Sequence, residues 1–264
     1  IAELRKGSFD AAVIFTVFSQ NPLPTAMIAT LAGIPKRLAY CRENPYQLLT
    51  EWLPDNEPFE YVRHQVRRDL DLVAAVGAHT ADEAIRIRSA GDQTTLLQKL
   101  AAAGLETNRP RIILHPGASE KKREYPSQSW ANAGKAITKT LGYQIVLTGV
   151  EKERKLVNDI ANSIGPRAYN VAGALTLEEL VLLIQMSPLL ISVNTGTVHI
   201  AAAVETKVIV LYALTNPQHA PWRSIGKILP YSVGEDMQSK NVVLRYVQEE
   251  YFGDARYIVT PEDI

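Results

Sequence analysis

The sequence has little that would tie the protein to a disulfide framework, to nucleic acid or to the interior of a membrane. Cys41 is the only cysteine, which excludes an intrachain disulfide and favours a reducing compartment. Lysine plus arginine and aspartate plus glutamate each number 28, so the formal net charge is zero and no overall positive potential favours nucleic acid. No apolar run is long enough to cross a membrane. These features predict a cytoplasmic protein without a nucleic-acid partner.

Several motifs that would identify a common enzyme class are also absent. The sequence contains no G-x-x-x-x-G-K-[ST] loop and no G-x-G-x-x-G after a strand, which argues against a P-loop nucleotidase and a dinucleotide oxidoreductase. It contains no H-x-x-x-H or C-x-x-C pair and no G-x-S-x-G elbow. We therefore expect no metal site and no nucleophile elbow of the α/β-hydrolase type.

Strands and helices alternate along the 264 residues, which is typical of α/β layers built on a mainly parallel sheet. Predicted strands are 11–16, 37–40, 84–87, 111–115, 143–147, 189–193 and 207–212. Predicted helices are 25–32, 61–76, 95–103, 127–141, 152–164, 177–186 and 196–204. Because a polar break at 106–110 separates two such series, we predict an N-terminal domain at 1–107 and a C-terminal domain at 108–264.

Both ends of the sequence have the pattern of a helix. The first residues pass from a charged helical segment directly into an apolar strand. The last five, Thr-Pro-Glu-Asp-Ile, have the N-cap, the proline and the acidic first turn of a helix. We therefore expect a piece of a longer protein, with an incomplete N-terminal domain.

The most informative segment is 189–203, LLISVNTGTVHIAAA. An apolar strand stops at Asn194, Thr195 and Gly196, and a helix of small residues follows. Asparagine and threonine are favoured N-caps, glycine permits close approach of a ligand, and the amides of a helix N-terminus attract anions. His199 shares the helix face of Thr195 and Gly196. This pattern predicts a phosphate site beside an imidazole, although capping alone would explain Asn194 and packing would explain His199.

A second strand end, at His115, is followed by the charged run PGASEKKRE. Ser119 offers a hydroxyl to a phosphate oxygen, and Lys122 and Arg123 offer positive charge to a diphosphate. Ligands of open α/β sheets bind outside the carboxyl ends of the strands, which favours a ligand site here. A solvated charged loop would have the same composition, so both interpretations stay open.

A third strand end carries a weaker signal. Thr148 and Gly149 form the turn after an apolar strand, and the helix that follows opens with acidic residues. Glu153 is a candidate acceptor for the hydroxyls of a ribose or a sugar. Acidic residues also suit the first turn of any helix, so the motif alone decides nothing.

The segment NVAGALTLEEL supplies a fourth candidate loop. Thr176 and Glu179 fit a capping box, which explains most of the segment without a ligand. Leu175 lies in the turn before them, where it could form an apolar wall for a nucleobase.

A further group of charges lies on the predicted helix 61–76. His64 is accompanied there by Arg63, Arg67 and Arg68. We interpret these residues as a solvated basic face, because exposed arginine on helices is common. Contact with an anionic acceptor or a lipid headgroup is the alternative.

In this order, the motifs resemble glycosyltransferase family 9, which includes the ADP-heptose:lipopolysaccharide heptosyltransferases. The matching pieces are IILHPGAS, a basic pair with an aromatic-proline, IVLTG with a nearby glutamate, N-x-A-G-x-x-x-L-E-E-L, ISVNTGTVHIAAA and VIVLYALTNP. They cover 111–221, and the first half matches more loosely through FTVFSQNPLPTAMIATLAGIPKRLAY.

The resemblance implies an α/β GT-B fold, with two Rossmann-like domains whose parallel sheets face a cleft. The C-terminal domain would bind a nucleotide sugar and the N-terminal domain the acceptor. It implies an inverting, metal-independent glycosyltransferase that moves heptose or a similar sugar to lipopolysaccharide or another cell-envelope glycan. The co-substrate would be a nucleoside-diphosphate sugar, with an ADP-sugar favoured and no other cofactor. Peripheral contact with the inner membrane face is expected as well.

Carried onto this sequence, the resemblance gives donor-binding roles to Ser119, Lys122, Arg123, Thr148, Gly149, Glu153, Leu175, Asn194, Thr195, Gly196 and His199. Ser119 with Lys122 or Arg123 would contact the diphosphate, and His199 would contact the leaving group. Asn194 stands where the family has aspartate, which leaves room for a donor other than ADP-heptose. By the resemblance, the aspartate that looks like the family's catalytic base is expected before the first residue of this sequence, so no general base is assigned.

Two other functions suit the same motifs. One is a sugar-nucleotide epimerase of the same fold, and the other is a nucleotide-sugar binding module without catalysis. Neither the sugar, nor the acceptor, nor an oligomeric state is predicted.

Overall fold

The computed structural model describes residues 1–213, 217–253 and 257–264, without the side chains at 243, 251 and 252. The end of the VIVLYALTNP motif, at 214–216, therefore lies outside the described residues. The chain divides into two compact units. Unit 1 comprises Ile1–Glu83, Asn216–Ala220 and Ser239–Asp254, and unit 2 comprises Ala84–Thr215, Pro221–Gln238 and Ala255–Ile264.

The helices and strands of the described ranges are named here in chain order. The strands are β1 (Ala11–Ile14), β2 (Lys36–Cys41), β3 (Glu51–Pro54), β4 (Arg111–His115), β5 (Gln144–Leu147), β6 (Ala168–Asn170), β7 (Leu189–Val193), β8 (Lys207–Ala213) and β9 (Gly226–Tyr231). The α-helices are α1 (Ala2–Lys6), α2 (Leu23–Leu31), α3 (Gln65–Ala74), α4 (Gln93–Ala102), α5 (Ser127–Leu141), α6 (Arg154–Ile164), α7 (Leu177–Gln185), α8 (Gly196–Ala203) and α9 (Val242–Val247). None of these helices is long and apolar enough to cross a membrane.

Unit 1 contains a parallel sheet of three strands in the order β1-β2-β3. Successive side chains of a strand point to opposite faces, so the two faces of β2 join different clusters. Ala39 and Cys41 are buried with Ala26 of α2, whereas Leu38 and Tyr40 are buried with Leu72 of α3.

Unit 2 contains a six-stranded parallel sheet in the order β6-β5-β4-β7-β8-β9. Alternation along β4 divides its core between the two faces of the sheet. Ile112 and Leu114 lie in one cluster with residues of α5 and α6, and Ile113 lies in a second cluster with residues of α4, α7 and α8. Helices therefore cover both faces, as buried parallel strands require. The α/β class with parallel sheets, predicted from the sequence, is confirmed.

The compact units differ from the predicted domains at 84–107. This segment was assigned to the N-terminal domain, but it packs in unit 2. Leu96 and Leu100 of α4 and the following Leu105 are buried in one cluster with Ile113 and Val146. The apolar face of α4 thus finds its partners on β4 and β5. The chain also returns to unit 1 twice, so no single boundary separates the units.

Not every predicted element forms. The predicted strand at 84–87 is wrong, because this segment has no regular structure. It is held instead by a bond from the Ile87 amide to the Ala203 carbonyl and by an Arg86–Glu205 ion pair of 3.0 Å. Strands β3, β6 and β9 were not predicted.

Arg63 and Arg68 belong to a buried charge network, so the interpretation as a solvated face is wrong for these two. The Arg67 side chain is 37% exposed and pairs with Asp71 and Glu83. Arg68 is fully buried, and its guanidinium pairs with both carboxylate oxygens of Asp55 at 2.6 and 3.0 Å. Glu57 is also fully buried, and its carboxylate lies 3.0 Å from Arg63 and 3.4 Å from Arg68. Charges are tolerated in a protein interior only where partners replace water, so these groups depend on one another.

His64 is not on the face of the helix but at its start. Its Nδ1 accepts a hydrogen bond from the Val66 amide at 3.1 Å, which caps α3, and its Nε2 lies 2.7 Å from the Ala220 carbonyl. This pair of partners requires a neutral ring with its proton on Nε2. Burial, which lowers the pKa of His64, favours the same form.

Removing one member of the charge network should destabilise unit 1. In Arg68→Met the Asp55 carboxylate stays buried without its bidentate partner, so we expect a loss of about 3–5 kcal/mol in the free energy of unfolding. Urea denaturation at neutral pH measures it. The control Arg245→Met, in the same unit, removes an exposed guanidinium 4.0 Å from Glu249 and should change stability by less than about 0.5 kcal/mol. Equal stability of the two variants would contradict the account.

Candidate functional site

The pairing of β4 with β7 brings the two strongest predicted motifs to neighbouring strand ends. His115, the last residue of β4, lies beside Ser192, and Asn194 follows two residues later. The strand order reverses at this pair, with β5 and β6 on one side and β8 and β9 on the other. In open parallel sheets a ligand crevice forms outside the carboxyl ends of the strands at such a reversal. The loops after β4 and β7 border that place.

The loop after β4 contains a short 3-10 turn, Lys121–Arg123, which includes both candidate bases. Nη1 of Arg123 donates to the backbone oxygen of Asn194 at 3.3 Å, which joins the loop after β4 to the loop after β7. The ammonium of Lys122 pairs with Glu120 at 2.8 Å. Of the two bases that the sequence left open, Arg123 is therefore the one that reaches the second loop.

Glu120 pairs with both candidate bases of this loop. Its carboxylate lies 2.6 Å from the guanidinium of Arg123. The hydrogen bond from Lys122 holds the pKa of Glu120 below its usual range, so the group is ionised at neutral pH. An incoming anion would compete with Glu120 for Arg123. Ser119, one residue earlier, is exposed.

Helix α8 begins after its N-cap residue, Thr195, whose side chain makes no capping hydrogen bond. The Thr195 hydroxyl lies 2.9 Å from that of Thr197 instead of on a backbone amide. The Thr197 hydroxyl in turn lies 3.0 Å from that of Ser192. The side chain of Thr195 therefore does not compete with an anion for the first-turn amides, of which that of Val198 donates to the Thr195 carbonyl at 3.2 Å. One turn further, His199 is exposed, whereas Asn194 is buried.

Glu153 lies directly beside the loop after β4. A Cβ at Gly117 would overlap its carboxylate, and a Cβ at Gly149 would come within 2.9 Å of its Oε2. The same Oε2 accepts the Val150 amide at 2.9 Å. Two glycines thus make room for a half-buried carboxylate between the loops after β4 and β5.

Thr148 faces inward. It is 2% exposed, and its hydroxyl lies 2.8 Å from Nδ1 of His115. Burial lowers the pKa of His115 to about 4, so this ring is neutral at pH 7. The predicted contact of Thr148 with a donor stays a prediction, and the bond to His115 is the contact that the structure shows.

The loop after β6 has the predicted capping box. The Thr176 hydroxyl accepts the Glu179 amide at 3.3 Å, and the Glu179 carboxylate accepts the Thr176 amide at 2.8 Å. Leu175, just before the box, is half-buried against the core of unit 2. Its position at this strand end is compatible with an apolar wall for a base.

Across the described part of the chain, no three or more His, Cys, Asp or Glu side chains are grouped so that they could hold a metal ion.

A family model described as glycosyltransferase family 9 (heptosyltransferase) matches residues 1–242. The chain belongs to this family. It shares 26% identity over 237 residues with lipopolysaccharide heptosyltransferase 2 of Escherichia coli K12. The aligned part is 83% of this chain and 64% of that protein, so the chain spans about two thirds of its relative's length.

Two solved structures of the family have the same fold. The E. coli ADP-heptose lipopolysaccharide heptosyltransferase II superposes with a TM-score of 0.65 at 23% identity, over 86% of this chain and 70% of that chain. The family 9 glycosyl transferase of Veillonella parvula DSM 2008 gives a TM-score of 0.70 at 15% identity, over 87% and 67%. The GT-B fold expected from the resemblance is confirmed.

Sequence reasoning missed Tyr231, at the end of β9. Its hydroxyl donates to the Arg123 carbonyl at 2.8 Å and so touches the turn that carries the candidate base. In the sequence, the short run Ile228 to Tyr231 could have indicated a strand that ends at this tyrosine. In the structure, Tyr231 pairs with Ala213 at the end of β8. His115 was assigned no role, although its place at a strand end beside Gly117 could have suggested one.

The buried His115 ring should leave a pH signature in stability. Its pKa is about 4 in the fold against about 6.5 for an unperturbed histidine, so the unfolded chain binds more protons between these values. The free energy of unfolding therefore falls as the pH drops from 6.5 to 4, by up to about 3 kcal/mol from this group. In denaturant titrations across this range, His115→Gln should show a shallower fall than the wild type. The control His79→Gln, at an exposed histidine, should keep the wild-type slope; a wild-type slope in His115→Gln would refute the assignment.

Proposed function

We propose that this chain contributes the donor-binding part of a glycosyltransferase active site. The enzyme would transfer heptose or a similar sugar from a nucleoside-diphosphate sugar, with an ADP-sugar favoured, to lipopolysaccharide or another cell-envelope glycan. Membership of family 9 supports this class of reaction. The observation that carries the proposal is the contact between Arg123 and the Asn194 carbonyl, because it sets a guanidinium beside the N-terminus of α8 at the strand-order reversal.

The chemistry requires stabilisation of a leaving diphosphate. An oxygen of the acceptor bonds to the anomeric carbon while the bond from that carbon to the phosphate oxygen breaks. The acceptor proton passes to a base, and the nucleoside diphosphate leaves with additional negative charge. Arg123, the first-turn amides of α8 and His199 are suited to receive that charge as fixed donors. Attack from the face opposite the leaving group inverts the configuration of the anomeric carbon, and we include this inversion in the proposal.

The remaining predicted residues would hold the rest of the donor. Ser119 would donate to a phosphate oxygen, and Thr195 and Gly196 would present the N-terminus of α8 to it. Glu153, packed over Gly117, would accept hydrogen bonds from ribose hydroxyls. Leu175 would pack against the base.

Binding of nucleoside diphosphates tests the proposal most simply. In calorimetric titrations of this chain, we expect ADP to bind, and to bind more tightly than UDP or GDP. Failure of all three to bind would overturn the proposal. A transfer assay with the full gene product and a lipopolysaccharide acceptor then separates the alternatives: an epimerase turns over donor without acceptor, and a binding module turns over nothing.

Arg123 and Lys122 should differ in their contribution to binding. In Arg123→Met a charge-assisted contact to the diphosphate is lost, so ADP affinity should fall by about 10- to 100-fold while adenosine affinity stays unchanged. The matched variant Lys122→Met should lose about threefold or less: both bases pair with Glu120, but the contact with the Asn194 carbonyl at the proposed site is made by Arg123. A larger loss in Lys122→Met than in Arg123→Met would reverse the assignment.

Transfer should not depend on a divalent metal, because the proposed donors are part of the protein. Addition of EDTA should change the initial rate less than about twofold, in a comparison with magnesium-containing buffer. A loss of activity that magnesium restores would contradict metal independence, but it would not contradict the residues proposed to bind the donor.

A further inference from the structure

The turn that carries Arg123 is tied to β9 by one buried phenol. Tyr231 is 8% exposed, and its hydroxyl lies 2.8 Å from the Arg123 carbonyl and 3.5 Å from the Glu124 carbonyl. Burial raises the pKa of Tyr231 well above its usual value, so the phenol keeps its proton and acts as the donor. The bond joins positions 108 residues apart in the chain.

The remaining backbone bonds of the turn are local. The Arg123 amide donates to the Glu120 carbonyl at 2.9 Å, and the Glu124 amide donates to the Lys121 carbonyl at 3.1 Å. These bonds give the turn its shape but do not attach it to the sheet. The guanidinium reaches Asn194 only at 3.3 Å, so a small displacement of the turn would break that contact.

A second tyrosine beneath the turn has a different connection. The ring of Tyr125 lies 5.9 Å from that of Tyr231 and packs edge-on against Trp130 at 5.6 Å. The Tyr125 hydroxyl, however, donates to the Val259 carbonyl at 2.8 Å. Two neighbouring buried phenols therefore hold different segments, and only one of them holds the Arg123 backbone.

We propose that Tyr231 is a positioning residue for diphosphate recognition. Its hydroxyl fixes the backbone of the Lys121–Arg123 turn at the place from which the Arg123 guanidinium reaches the loop after β7 and the ligand. Tyr231 itself touches no ligand group and acts through Arg123. The inference rests on the proposed function in one respect, namely that the ligand is a nucleoside diphosphate.

The test compares ADP with adenosine, which lacks the phosphates. In Tyr231→Phe the ring and its packing remain and one hydrogen bond is lost, so we expect ADP affinity to fall about 3- to 10-fold. Adenosine affinity should stay within about twofold, because the base and ribose contacts are elsewhere. Tyr125→Phe is the matched control: it deletes the same atom from the same cluster and should leave the affinities for both ligands within about twofold of wild type.

A double-mutant cycle shows whether Tyr231 acts through Arg123. In an Arg123→Met background, Tyr231→Phe should reduce ADP affinity by no more than about twofold, because the group it positions is gone. Independent, multiplicative losses would overturn the inference. Equal losses for ADP and adenosine would overturn it too, since they would indicate a general role in folding.

The failure of this inference is distinguishable from that of the proposed function. If the wild type binds no nucleoside diphosphate, the proposed function fails. If the wild type binds ADP and Tyr231→Phe binds it equally well, only the positioning role fails. Circular dichroism checks that the variant folds. Should it not fold, Tyr231→His replaces it: the imidazole is shorter than the phenol and does not reach the Arg123 carbonyl, so this variant should bind ADP more weakly than wild type while binding adenosine equally. Wild-type ADP affinity in that variant would overturn the inference.

Discussion

Parallel pairing of β4 with β7 is the constraint on which the candidate site depends. The register places His115 beside Ser192, so the loops that follow begin at the same level of the sheet. The strand order reverses at this pair, and the helices that follow, α5 and α8, are buried in clusters on opposite faces. Arg123 and the N-terminus of α8 meet there because of this geometry and not because of their spacing in the chain. The proposed diphosphate site is a consequence of that meeting.

At the carboxyl edge of the sheet, polar side chains lie near the ends of β4 and β7 as well as in the loops that follow them. His115 and Ser192 follow Ile113 and Leu190 by two residues, which places them on the face that α8 covers. Thr148 bonds to His115. Ser192 lies within hydrogen-bonding distance of Thr197 in α8. Buried polar groups are tolerated when they satisfy one another, and these pairs give the loops a rigid polar base.

Strands that contain a continuous apolar run can be predicted from the sequence. Features that depend on contacts between distant segments cannot. Strands β4 and β7 are predicted to the residue, because each contains the apolar run that is typical of a buried parallel strand. Strand β6 is three half-buried residues and gives no such signal. The candidate loops are predictable from their strand ends, but the choice of Arg123 over Lys122 depends on the shape of one short turn. The burial of Arg68 is invisible to hydropathy, because its partners Asp55 and Glu57 lie outside its helix.

Hydrogen exchange of the wild type, measured by mass spectrometry with and without saturating ADP, tests the central claim most directly. If the diphosphate binds between Arg123 and the first turn of α8, the amides of 117–124 and 195–199 should gain the largest protection. The segment 96–105, buried in the core of the same unit, should change little. Protection that leaves both loops unchanged and appears elsewhere would contradict the account.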